Sequence, residues 1–329
     1  MTDPRMNPDN GESNQRLGRM EKRMFLVCGE ALMDVFAVGD TPTGMSLDAR
    51  VGGSPFNVAV GLARLAQPVA FLGAVSNGFL GQRLMRALSA EGVDLAHVAR
   101  IDAPTTLGLV GLDEKGVPSY AFYGDGAADR QLGLGALPAA AFKALHLGSY
   151  TTVVESIAST LRALVQREHG KTLISYDPNV RLNVQPELAR WREHLGWMLP
   201  RCDLLKVSQE DLELLLPDTT IEAFAADALA HGVRLVVVTR GSDGAQGWTA
   251  QVTARVPTPS VTVVDTVGAG DTFQAALLAW LAEHDSVSPT ALAGLSGAQM
   301  TDALGFAAQA AAITCSRRGA DMPRRAELR

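Results

Sequence analysis

No apolar run in this chain of 329 residues is long enough to cross a bilayer. No basic cluster goes beyond short arginine pairs, and the net charge is −6. Together these absences remove the footprint of a nucleic-acid or membrane-surface binder. Cysteine is scarce. Cys28, Cys202 and Cys315 lie far apart among apolar residues, so they read as reduced core thiols in a cytoplasmic setting. The six histidines show no ligand spacing, and His146 within "ALHLG" reads as a strand residue. Two phosphate motifs are missing as well. There is no GxxxxGK(S/T), which excludes a P-loop, and no GxGxxG follows the first strand, which leaves a dinucleotide binder with little support. The first 22 residues are polar and lack the apolar centre of a secretory signal; they are expected to form a flexible tail.

What is present is alternation. The first strand, "MFLVC", leads to a polar patch and a helix "PFNVAVGLARLA", then "VAFLGAV" and a helix from about Leu80 to Glu91. "TTLGLVGLD" and "VPSYAFY", around Lys115 and Gly116, read as a hairpin. From residue 144 the strands "ALHLG", "TLISYD", "CDLLKV" and "RLVVVTR" are separated by amphipathic helical segments. This predicts a mostly parallel sheet with helices on both faces, as one domain over 23–329, with an extra β element from about 35–53 and 104–126. Ligands of such folds sit at the carboxyl ends of the strands, where "SYDPNVR", "LLKVSQED", "VTRGSDGA" and "VVDTVGAGD" converge.

The last of these carries the most chemistry. "VTVVD" (261–265) is short, β-branched and apolar and predicts a buried strand; "TFQAALLAWLAEH" predicts a helix. "TVGAG" is then a turn closing on a helix N-terminus, whose unpaired N–H groups suit an anion. Glycines also serve tight turns, and Asp is a common residue of a first helical turn. A carboxylate beside a phosphate repels it, however, unless it has a task. Asp271 could have one: to orient and deprotonate a hydroxyl that attacks the phosphate.

"DTVGAGDTFQAALL" resembles the second signature of the ribokinase/PfkB family of sugar kinases, and "GGSPFNVAVGLARLAQPVAFLGAV" resembles the first. With "GEALMDV", "DPNVR" and "CSRRGADMP", the resemblance runs over 24–323 and is closest to the bacterial fructokinase branch. It implies a ribokinase-like three-layer α/β/α fold with a small β-sheet lid, a homodimer, and ATP and Mg²⁺ as phosphoryl donor and cofactor. It implies Asp271 as base, and the N–H groups of Gly268, Ala269 and Gly270 as an anion hole. Asp34, Gly52, Gly53, Asn57 and Arg181 would hold the sugar. Ser208, Thr239, Gly241, Gly244, Ala308 and Gln309 would hold the nucleotide. Asp211 would act on Mg²⁺ through water, and Asp265 with the Val267 carbonyl and the loop 316–320 would hold K⁺. The helix N-terminus and the metal are expected to lower the Asp271 pKa.

There are departures from the family pattern. Its Asn-x-x-Glu appears as "SQED", with Ser208 and Asp211. Ala66 stands where Gly is common, as does Ala276, and both read as packing changes. A kinase of 2-keto-3-deoxygluconate would carry a carboxylate-binding Arg where "FYGDGAAD" has Gly124 and then Asp125, which favours a neutral sugar, fructose. Arg130 or Arg181 could supply that cation instead. Outside the kinases two alternatives stand. One is a sensor that kept the fold and lost the chemistry, against which the intact Asp271 and GAG turn argue. The other is a dehydrogenase-like dinucleotide binder, against which the place of the Gly-rich turn near the C-terminal end argues.

Overall fold

The structure is a computed structural model and describes residues 24–112 and 118–328. In chain order the strands are β1 (Phe25–Cys28), β2 (Leu32–Thr41), β3 (Gly44–Gly52), β4 (Val69–Ser76), β5 (Val98–Ile101), β6 (Leu107–Leu112), β7 (Pro118–Tyr123), β8 (Ala144–Gly148), β9 (Leu173–Asp177), β10 (Leu204–Ser208), β11 (Leu235–Thr239), β12 (Ala245–Trp248) and β13 (Thr253–Val256). The α-helices are α1 (Ser54–Arg64), α2 (Phe79–Ala90), α3 (Ile157–Glu168), α4 (Leu188–Met198), α5 (Gln209–Leu215), α6 (Ile221–Ala230), α7 (Ala269–Glu283), α8 (Pro289–Ala293) and α9 (Gly297–Cys315).

Nine strands form the central sheet in the order β13-β12-β11-β10-β9-β8-β1-β4-β5, parallel except for β12 and β13. Successive side chains of a strand point to opposite faces, so a strand apolar throughout feeds two cores. In β1, Phe25 and Val27 join the core beneath α1, α7 and α9. Leu26 and Cys28 join the core beneath α3, α4 and α6. Three layers result.

A second, four-stranded sheet, β3-β2-β6-β7, rises from one end. The hairpin expected over 104–126 is present as the antiparallel pair β6–β7; its tip lies outside the described residues, as does the expected N-terminal tail.

Helix α7 is buried at every position from Asp271 to Leu281, the mark of a helix enclosed by core on all sides. Gly61 on α1 makes its close packing possible. A Cβ there would stand 2.6 Å from the Ala275 Cβ and 2.8 Å from the Met322 sulfur. Without that approach the start of α1 could not reach the start of α7, which is where the site forms.

Two readings are corrected. Residues 261–265 are not a buried strand: they form an irregular, exposed segment with Val263 62% and Val264 60% accessible. The amides of Val264 and Asp265 donate to the Cys315 carbonyl at the end of α9, so no neighbouring strand takes up their hydrogen bonds. The sheet edge beyond β11 is formed by β12 and β13, which no sequence pattern singled out. Cys315 is only half-buried, where the sequence suggested a core thiol.

Candidate active site

One cleft of about 1390 Å³ runs along the carboxyl ends of the parallel strands and under the small sheet. A pocket for one drug-sized ligand is roughly 300–1,000 Å³, so the cleft has room for two.

Asp271 lines this cleft, in the first turn of α7 and 9% accessible. Its Oδ1 accepts from Ser54 Oγ at 2.6 Å and its Oδ2 from Asn57 Nδ2 at 2.8 Å. Both donors lie on α1. The Asp271 pKa is raised: burial outweighs these two hydrogen bonds and the charges of Lys206 and Arg181. The expected lowering is therefore overturned, because desolvation is larger than the stabilisation the surrounding groups supply.

Asp34, on β2 where the small sheet leaves the body, has its pKa raised to about 6 by burial and by the nearby charge of Asp271, with Arg181 opposing. Gly52 makes room for it, since a Cβ there would stand 2.2 Å from Asp34 Oδ2. Gly53 is required for conformation instead, with φ +105 at the start of α1. Asp34, Gly53, Asn57, Arg181 and Asp271 all line the cleft.

Gly268 takes a left-handed conformation, φ 76, and begins α7. Its carbonyl accepts from the Thr272 amide, so the four preceding amides have no acceptor within the helix. That of Ala269 donates to the Thr266 carbonyl at 3.2 Å. Of the three N–H groups assigned to an anion hole from sequence, the turn therefore engages this one, and the amide of Asp271 joins Gly268 and Gly270 in the helix's opening turn.

Farther along the cleft lie Ser208, Asp211, Thr239, Gly241, Gly244 and Ala308. Gly244, at φ +94, has no space for a Cβ, which would meet the Val256 carbonyl at 1.9 Å. Gln309 is not among them. It faces a separate groove with Gly297, Thr301 and Gly305, because Ala308, Ala311 and Ala312 present the face of α9 that meets the cleft. Asp265 lies behind the turn: its Oδ1 accepts from the Val267 amide at 3.1 Å and its Oδ2 from the Gly319 amide at 2.8 Å, tying the 316–320 loop to the GAG turn.

The "SQED" departure has a local role. Ser208 caps α5, accepting from the Asp211 amide at 3.0 Å. Asp211 Oδ1 accepts from the Val180 amide at 3.1 Å. The Asp211 pKa is raised to about 6, by burial first and by Asp177 second.

Sequence reasoning passed over four side chains. Lys206 on β10 and Asp177 on β9 form a buried ion pair at 2.8 Å. Ser54 holds Asp271. Glu30, fully buried with its pKa pushed up to about 7 chiefly by desolvation, accepts from the Ser54 amide at 3.3 Å and from Thr151 Oγ1 at 3.1 Å. The lysine inside the apolar run "LLKV" was the available signal, since an unpaired charge is rarely buried.

Four carboxylates (Asp34, Asp177, Asp211, Asp271) thus gather around two cations, Lys206 and Arg181. The Asp177 Oδ1 is buried without a hydrogen-bond partner. Among the described residues no three acidic, His or Cys side chains are spaced to enclose a metal. This excess of hard, negative oxygens without a cage suits a divalent cation that keeps its own waters.

The position of a side chain at residue 124 is already occupied. A Cβ on Gly124 would stand 2.6 Å from Arg130 Nη2, and that guanidinium also pairs with Asp125 at 3.3 Å. Arg181 faces the cleft, whereas Arg130 does not line it.

A layered α/β fold with a β lid and a buried carboxylate at a glycine-rich helix start is the architecture of a small-molecule kinase. Residues 22–326 match the pfkB family carbohydrate kinase, and the chain belongs to that family. It is 36% identical over 274 residues to a fructokinase of Rhizobium leguminosarum bv. trifolii, covering 83% of this chain and 84% of that one. It is 31% identical over 314 residues to the probable fructokinase-3 of Arabidopsis thaliana, covering 91% and 88%. Among solved structures, the fructokinase of Xylella fastidiosa with bound ATP superposes with a TM-score of 0.84 at 28% identity, covering 93% and 97%. A double mutant of the Vibrio cholerae O395 fructokinase with fructose, ADP and potassium ion bound gives 0.76 at 28% identity, covering 91% and 94%. The fold is ribokinase-like, and the chain is an ATP-dependent sugar kinase.

Proposed function

We propose that this kinase transfers the γ-phosphoryl group of ATP to a hydroxyl of D-fructose. The observation that carries the reading is the position of Asp271. It lines one continuous cleft together with Asp34, Asn57 and Arg181 and with Thr239, Gly241, Gly244 and Gly268. A sugar hydroxyl there faces a carboxylate, and a phosphate faces the amides of the α7 start. In a loose phosphoryl-transfer transition state, positioning and charge stabilisation dominate. Asp271 aligns the hydroxyl and takes its proton. The amides of Gly268 and Gly270 stabilise the phosphoryl oxygens, and Lys206 offsets the surrounding carboxylates. Mg²⁺, when bound with ATP, neutralises phosphate charge; Asp211, which lines the cleft, is the residue that would hold its waters. We read residues 23–329 as one kinase domain with the small sheet as its lid.

Fructose is favoured over an acidic sugar by the excess of carboxylates, because Arg181 already faces Asp34, Asp211 and Asp271. An added carboxylate would meet net repulsion costing ~2–5 kcal/mol, or tens- to thousands-fold in kcat/KM. A coupled ADP-release assay across neutral sugars and 2-keto-3-deoxygluconate tests this. A higher kcat/KM for the keto-acid overturns fructose, and binding without turnover overturns the kinase.

K⁺ is proposed beside the Val267 carbonyl, on the scaffold Asp265 makes with Gly319; equal rates in potassium, sodium and a bulky organic cation would end that reading. Val38, Met45, Leu47 and Tyr123 expose apolar surface on the small sheet, which supports a homodimer through the lids. A sedimentation mass equal to one chain would exclude it. Three unpaired cysteines among the described residues and no described helix suited to crossing a membrane support a cytoplasmic site of action, which imaging of the tagged chain would check.

A further inference from the structure

Both oxygens of the Asp271 carboxylate already accept a hydrogen bond from the protein. The two donors differ in kind. Asn57 is buried, and its amide holds Oδ2 from within α1. Ser54 lines the cleft as Asn57 does, but it is less buried and presents to Oδ1 a hydroxyl, the same chemical group that a sugar acceptor presents.

The backbone of Ser54 is held on both sides. Gly53 before it takes φ +105, and its own amide donates to buried Glu30. Pro55 after it fills the space beside Gly29, where a Cβ would stand 2.4 Å from the proline Cγ. Rotation of the side chain is therefore the freedom left to the hydroxyl. Turned toward Asp271 it occupies Oδ1; turned away it leaves that oxygen to another hydroxyl.

We propose that Ser54 is a positioning residue that occupies the base in the sugar-free enzyme and yields it to the acceptor hydroxyl, so that water is not deprotonated there. The proposal rests on Asp271 being the base. It accounts for a hazard common to such enzymes. A base and an anion hole assembled around ATP will pass the phosphoryl group to water unless water is kept from the base. Here the protein supplies the competing hydroxyl. When sugar enters, its hydroxyl takes Oδ1, Asp271 accepts the proton as the oxygen–phosphorus bond forms, and ADP leaves with the electrons of the broken bond.

A merely structural role for Ser54 would lower all turnover together. A guarding role changes the ratio of hydrolysis to transfer. The test measures ADP release from ATP with and without fructose in the full chain, for wild type, Ser54→Ala, Ser54→Thr and Asp271→Asn. The expected result is a rise of about fivefold or more in the ratio of sugar-independent to sugar-dependent release in Ser54→Ala. Ser54→Thr, which keeps the hydroxyl, brings the ratio back toward wild type. Thermal unfolding and ATP binding establish that each variant is folded; if Ser54→Ala is not, Ser54→Cys, a poorer donor of similar size, gives the same reading. An unchanged ratio in the folded variant overturns the role of Ser54 while leaving the base intact. Undiminished sugar phosphorylation in Asp271→Asn overturns the base itself, so the two failures are distinct.

Discussion

The ammonium of Lys206 lies 2.8 Å from Asp177 Oδ2, and both side chains are buried on adjacent parallel strands, Asp177 at the end of β9 and Lys206 in the middle of β10. Burial lowers the Lys206 pKa, but Asp177, Asp271 and Asp211 more than offset it, and the net direction is upward. The lysine is thus held charged beside the base, and a Cβ on Gly270 would stand only 3.2 Å from its Nζ. Replacing it by methionine removes the counter-charge and leaves Asp177 alone in the interior. Breaking a buried pair from one side costs about 3–5 kcal/mol. Lys206→Met is expected to lose that much in denaturant unfolding and more than about tenfold in kcat. Full activity in a stable variant would show that neither the pair nor its field matters.

Asp271→Asn keeps the shape of the side chain and removes its ability to accept a proton. The expected outcome is a loss of several orders of magnitude in kcat, with ATP and sugar still binding by calorimetry. More than about a tenth of wild-type kcat in the variant would take the base role away from Asp271.

The acid limb of the pH profile should lie above the ordinary carboxylate range. Asp34 and Asp211 have pKa values raised to about 6, and that of Asp271 is raised as well. These groups lie close together, so the apparent values belong to the set. As pH falls through about 6 Asp34 and Asp211 lose their charge, Asp271 loses its own above the ordinary carboxylate range, and kcat/KM should fall with them. Stability moves the other way. A carboxyl with a raised folded pKa binds its proton more readily when folded, so these groups add stability as pH falls from about 6 toward their unfolded values near 4. Activity that stays level down to about pH 4.5 would remove these carboxylates from the rate.

Ala66 makes a prediction about stability alone. It ends α1 at φ 60, with its amide donating to the Ala63 carbonyl and that of Gln67 to Leu62, the Schellman arrangement that glycine normally completes. The sequence suggested a packing change. The side chain is exposed, and the effect is on the backbone. A left-handed non-glycine residue costs about 1–2 kcal/mol, and glycine's greater freedom when unfolded returns part of that. Ala66→Gly is expected to gain about 0.5–1 kcal/mol in chemical denaturation with kcat unchanged; destabilisation would contradict the reading.

Period and punctuation decided most of the central sheet from sequence alone. Strands such as "FLVC" and "LVVV" are apolar throughout because both of their faces are covered, and that composition survives in any context. The GAG turn was legible for a similar reason, since its glycines answer to local backbone geometry. Tertiary structure decided the rest. Val263 and Val264 lie exposed because the amides of Val264 and Asp265 go to the end of α9 and not to a neighbouring strand. Gln309 turns from the cleft because alanines fill the face of α9 beside it. Lys206, Asp177, Glu30 and Ser54 acquire their roles only when residues up to 217 positions apart, Ser54 and Asp271, are brought within one hydrogen bond. Asp271 shows the division most clearly. Its place at a helix N-terminus could be read locally and pointed to a lowered pKa. Its burial, which raises that pKa, depends on the packing of α1 against α7 at Gly61 and could not be read from the motif.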